Sequence, residues 1–80
     1  MPVILRVDGL RFFFYSNEGN PLEPVHVHIR QSVKEAKVWL EPEVQLARND
    51  GFDARELKRI LELSLSHAAT LKEAWNEYFT

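Results

Sequence analysis

The stretch VHVHIR sets His26 and His28 two residues apart, with Val25, Val27 and Ile29 in the alternate positions. In an extended strand successive side chains point to opposite faces, so both imidazoles share one face with Arg30 and the three aliphatic residues share the other. Two imidazoles about 6.5 Å apart along a strand can converge on one metal ion or one phosphate. As an acid and base pair beside Arg6 and Arg11 they could cleave RNA, one ring activating the 2′-hydroxyl and the other protonating the leaving oxygen. As metal ligands they would need a third protein group, such as Glu35, His67 or Asp8. Solvated or interface histidines without chemistry are the third reading. Spacing alone rarely identifies a site, so His26 and His28 stand as catalytic candidates and no metal or cofactor is expected.

The elements that must position these rings follow from periodicity. VILRV and LRFFFY are β-branched and aromatic runs separated by Asp8 and Gly9, a pair suited to a type I′ turn because both positions take positive φ. A two-residue loop sets Val7 opposite Leu10, Arg6 opposite Arg11, Leu5 opposite Phe12, Ile4 opposite Phe13 and Val3 opposite Phe14. One face of this hairpin then carries Val3, Leu5, Val7, Leu10, Phe12 and Phe14; the other carries Ile4, Arg6, Arg11, Phe13 and Tyr15. Ser16 to Pro24 is a loop by composition. After the histidine strand and a turn near Gln31 to Val33, a strand to Leu40 points Ala36, Val38 and Leu40 inward and Glu35, Lys37 and Trp39 outward. Pro42 ends it, and Val44 to Arg48 reads as a short fifth strand.

Asn49, Asp50 and Gly51 form the turn into the helical part. Asp53 and Glu56 make a capping box, flanked by Phe52 and Leu57 at the staple positions. From Leu57 an apolar stripe runs through Ile60, Leu61, Leu65, Ala68, Leu71, Ala74, Trp75 and Tyr78, which predicts one long helix. Ser64, Ser66 and Thr70 mark where a bend, or a division into two shorter helices, would fall.

Eighty residues suit a single domain, strand-rich over 2–48 and helical over 53–79. The expected fold is α+β: an antiparallel sheet of four or five strands, hairpin first, with a long C-terminal helix on one face. The other face is expected to lie bare, displaying Arg6, Arg11, Arg30 and Lys37 beside Phe13, Tyr15 and Trp39. Ten Lys and Arg against twelve Asp and Glu give a net charge of −2, so any basic site must be local and a general electrostatic search along DNA is disfavoured. Like charges paired across strands destabilise a ladder, and Arg6 opposite Arg11 calls for an anion. Those seven residues are the candidates for binding an anion or nucleic acid, with the aromatics able to stack RNA bases. The competing reading makes the same face a protein interface, in a homodimer or with a partner. Lack of cysteine suits a reducing, cytoplasmic setting, and no leader or membrane span is expected.

LRFFFYSNEGN, EPVHVHI, EAKVWLEP, LARNDGF and the closing EAWNEYF resemble a small bacterial family, DUF4160, over essentially the whole chain. Members resemble the DhiT-type toxins of type II toxin-antitoxin modules, which implies a toxin-like role and a small antitoxin-like protein as partner. On the matched positions the resemblance points to His26, His28, Lys37, Trp39 and Asn49 as the functional surface. Where the family commonly carries two prolines before the first histidine, this chain has Pro24 followed by Val25.

Overall fold

The computed structural model describes residues 2–18 and 23–79. Five antiparallel strands lie side by side in chain order: β1 (Val3–Val7), β2 (Leu10–Phe13), β3 (His26–Gln31), β4 (Lys34–Trp39) and β5 (Gln45–Asp50). A 3-10 turn at Ser16–Glu18 precedes β3, and two helices follow the sheet, α1 (Ala54–Ser66) and α2 (Ala68–Tyr78). The β1–β2 turn takes the expected form, with Asp8 at φ 53° and Gly9 at φ 77°. The Glu41–Pro42 peptide is cis.

Alternation places Phe12, Val27, Ile29, Ala36 and Val38 on the helix side of the sheet, where they pack with Phe14, Leu40, Phe52, Ile60, Leu63, Leu71 and Trp75. This is the α+β arrangement the periodicity predicts. Its details depart from expectation in four places.

The hairpin register holds for Val7, Arg6 and Leu5 but then slips, so that Val3 rather than Ile4 faces Phe13. One extra residue in a strand exchanges its faces beyond that point. Val3, expected in the core, is exposed, and Ile4 packs against the core instead. The fifth strand begins one residue later than expected and runs on through Asn49 and Asp50, residues that the sequence pattern places in the turn. Asn49 instead closes the connection: its Nδ2 donates to the Phe52 carbonyl at 2.9 Å and its Oδ1 accepts from the Phe52 N–H at 3.0 Å.

The single long helix is two, meeting at His67 (φ −106°, ψ 13°). Ser64 Oγ bonds the Ile60 carbonyl and Ser66 Oγ the Glu62 carbonyl, competing with the ladder where intrinsic helix preference is weak. Ser64 and Leu63 sit in the core, whereas Leu65, expected in the apolar stripe, is exposed. Finally, the sheet face opposite the helices is not bare. Phe13, His26 and His28 are 2%, 0% and 3% exposed.

Both halves of the capping box form: Asp53 Oδ1 accepts from the Glu56 N–H at 2.8 Å and Glu56 Oε1 from the Asp53 N–H at 2.9 Å. Asp53→Ala is expected to lower stability by about 1 kcal/mol in urea denaturation. The bond from Lys34 and the Asp53 backbone N–H hold the Glu56 carboxyl below its ordinary range. Its contribution is therefore complete above the ordinary carboxylate range and is lost as pH falls through the lowered value. Glu56→Gln should flatten that part of the stability curve.

Candidate functional site

Strand pairing builds rows across the sheet. Arg6 faces Arg11, Arg11 faces Arg30, Arg30 faces Glu35, and Glu35 faces Asp50. The neighbouring row runs from Phe13 through His28 and Lys37 to Arg48. Arg30 is answered by Glu35, whose Oε1 accepts from Nη1 at 3.0 Å. Among the described residues, neither Arg6 nor Arg11 has a carboxylate within the 4.0 Å of an ion pair.

The turn at Ser16–Glu18 folds back over the histidines. The Glu18 N–H donates to the Tyr15 carbonyl and the Tyr15 N–H donates to Glu18 Oε1, a reciprocal pair that fixes the carboxylate. Its other oxygen, Oε2, lies 2.9 Å from His26 Nε2 and 2.6 Å from His28 Nε2. His26 Nδ1 donates to the Pro24 carbonyl at 2.8 Å. The His26 ring packs against Trp39 and Trp75, and the His28 ring against Phe13 and Tyr15. Tyr15 donates its hydroxyl to Glu35 at 3.0 Å, and Glu35 Oε2 faces His28 Nδ1 at 3.7 Å.

Charge states follow from this packing. Burial pushes the Glu18 carboxyl up, but the two imidazoles outweigh it and leave it below the usual carboxylate range. Burial lowers the His28 imidazole, more than the Glu18 carboxylate raises it, so the ring is neutral near pH 7. Burial and the Glu35 carboxylate raise the Tyr15 phenol, which keeps it a donor.

The sequence-predicted site residues therefore divide into groups. Arg11, Phe13, Tyr15 and Arg30, with Val3, line a recess of about 300 Å³. Arg6 stands at the outer end of the same arginine row. Lys37 turns away from that recess: its Nζ donates to Glu23 at 3.0 Å and lies 4.5 Å above the Trp39 ring. His26 and His28 come together, but beneath the turn, with Phe13 buried beside them, so that ring offers no stacking platform.

The third group on the imidazoles is Glu18. Asp8 pairs with Arg59 at 2.8 Å, His67 sits at the helix junction, and Glu35 stays 3.7 Å from His28. From the sequence, Glu18 falls in the undifferentiated loop Ser16 to Pro24. The available signal was its position three residues after Tyr15, where its side chain can reach back to that residue's N–H.

Fold and site thus define a two-layer α+β domain with a buried Glu-His-His cluster beside an arginine row. The chain belongs to the DUF4160 family, a domain of unknown function, whose family model matches residues 9–76. No curated protein and no solved structure matches it. Among the described residues no helix is long and apolar enough to cross a membrane.

Proposed function

We propose that this chain is a protein-interaction module, the toxin-like member of a two-protein pair, whose arginine row docks a carboxylate-bearing segment of a small antitoxin-like protein. The observation that carries the reading is Arg6 directly opposite Arg11, and Arg11 opposite Arg30, with the first two lacking any described acidic partner. A ladder built with like charges across it is less stable than one without, and that repulsion is relieved when carboxylates bind in the fork of each guanidinium. Val3 and Tyr15 add the amphipathic surface that protein interfaces favour around an arginine. Burial of both imidazoles weighs against the acid-base reading, since a substrate phosphate would have to displace Glu18 to reach them.

The test pairs binding with stability. Titrating the protein with a poly-glutamate peptide should shift the side-chain NMR signals of Arg6, Arg11 and Arg30, and Arg11→Glu should weaken binding at least about tenfold. The same substitution should raise stability by roughly 0.2–1 kcal/mol per pair, because it turns the like-charge pairs with Arg6 and with Arg30 into opposite ones. Shifts produced instead by a uridine oligonucleotide, with affinity falling linearly against log salt, would show an RNA face. No response to either probe, or self-association through this face in ultracentrifugation, would reject the proposal.

A further inference from the structure

The two buried imidazoles present an accounting problem in lone pairs. His26 Nδ1 lies 2.8 Å from the Pro24 carbonyl, which can only accept, so this nitrogen carries the hydrogen. In the neutral ring Nε2 is then a bare lone pair. It is buried without a hydrogen-bond partner, 2.9 Å from a carboxylate oxygen that also offers only lone pairs. Two acceptors at that distance repel unless a cation stands between them. A second proton on His26 would supply one, at the expense of burying an imidazolium ring 0% exposed among Trp39, Trp75 and His28.

His28 differs. Its Nε2 lies at hydrogen-bond distance, 2.6 Å, from the same Glu18 oxygen, so in the metal-free chain this nitrogen carries the hydrogen and donates it, and the buried lone pair without a partner is on Nδ1, which faces Glu35. A metal ion at Nε2 would take the place of that hydrogen, which moves to Nδ1 and faces the Glu35 carboxylate; both rings then turn their far N–H groups toward a carbonyl and a carboxylate. That is how metal-ligating histidines are held. Glu35 is in turn fixed by Tyr15 and Arg30.

We propose that His26 Nε2, His28 Nε2 and the Glu18 carboxylate bind one divalent transition-metal ion. The three ligand atoms lie within 4.8 Å of one another. Donors each about 2.1 Å from one ion stand about 3.0–3.4 Å apart, so the 2.9 and 2.6 Å separations at Glu18 need to open by only a few tenths of an ångström to about 0.8 Å to admit it. Two imidazoles with one carboxylate, in a chain without cysteine, suit zinc, cobalt or ferrous iron rather than magnesium or calcium, which take oxygen ligands. Three protein donors leave at least one coordination position for a small ligand.

The full chain, stripped with a chelator, is titrated with Co²⁺ by visible absorption and with Zn²⁺ by calorimetry. One ion per chain is expected, with no response to Mg²⁺. Glu18→Gln and His28→Gln should each weaken Zn²⁺ binding by about tenfold or more, whereas His67→Ala should leave it unchanged. Since the ligand variants could fail to fold, imidazole ¹⁵N spectra of the wild-type chain give an independent reading. Zn²⁺ should move Nε2 of His26 and His28, with His67 unaffected. Absence of Co²⁺ bands and of heat at millimolar metal would overturn the site. So would Zn²⁺ binding unchanged in a folded Glu18→Gln variant, or ¹⁵N shifts at His67 alone.

Discussion

Phe14→Ala is expected to lower stability by about 3–5 kcal/mol, the range for deleting a fully buried aromatic ring. The ring is 0% exposed and packs on the last helix, with its centroid 5.3 Å from Trp75 and 6.1 Å from Phe79. Removing it takes away the area buried by Phe14 and one side of the Trp75 packing together. A domain this small has a total stability near the lower end of about 5–15 kcal/mol, so the variant should be substantially unfolded at 25 °C. Urea denaturation followed by tryptophan fluorescence measures it, since Trp75 lies in the disrupted contact. Phe14→Leu, which keeps most of the volume, should cost less than half as much. A loss below about 1 kcal/mol for Phe14→Ala would mean that α2 is seated on the sheet by other contacts.

How much of this was legible in the sequence depends on whether a residue's role is set locally. The Asp8–Gly9 turn and the Asp53–Glu56 box are fixed by residues adjacent or three apart, and both form as predicted. The period-two pattern of β3 and β4 is equally local, and it put His26 and His28 on one face. The slip at Ile4 escapes such reading, because a bulge is decided by which of Val3 and Ile4 better fills the edge of the core. The division at His67 was marked by Ser64 and Ser66 but depends on whether their hydroxyls turn back to the preceding carbonyls. The largest gap is Glu18. Nothing in SNEGNPLEP says that one turn of it returns across the sheet, yet that turn converts an expected open platform into a buried cluster. Its place is set by two nonlocal partners, His26 and His28, which no periodicity reports, together with the local bond to the Tyr15 N–H.

Glu18→Ala, measured in chelator so that no metal contributes, is expected to cost about 3 kcal/mol, the size expected when buried donors lose a charged acceptor. The carboxylate accepts from His28 Nε2 and from the Tyr15 N–H, so alanine leaves a buried ring donor and a backbone donor without their acceptor. Shape alone would not produce a loss of this size: the substitution opens little apolar volume at a site roofed by a polar turn. A double-mutant cycle with His28→Phe separates the two causes. If the loss comes from the orphaned imidazole, Glu18→Ala should cost much less once His28 is a phenyl ring able to stack on Phe13 as the imidazole does, and the coupling should be about 1–3 kcal/mol. If the turn merely covers the sheet, the two losses should add. Additivity would leave the histidines as passive packing, and the close approach of one carboxylate oxygen to two ring nitrogens would lose its claim to organise this face.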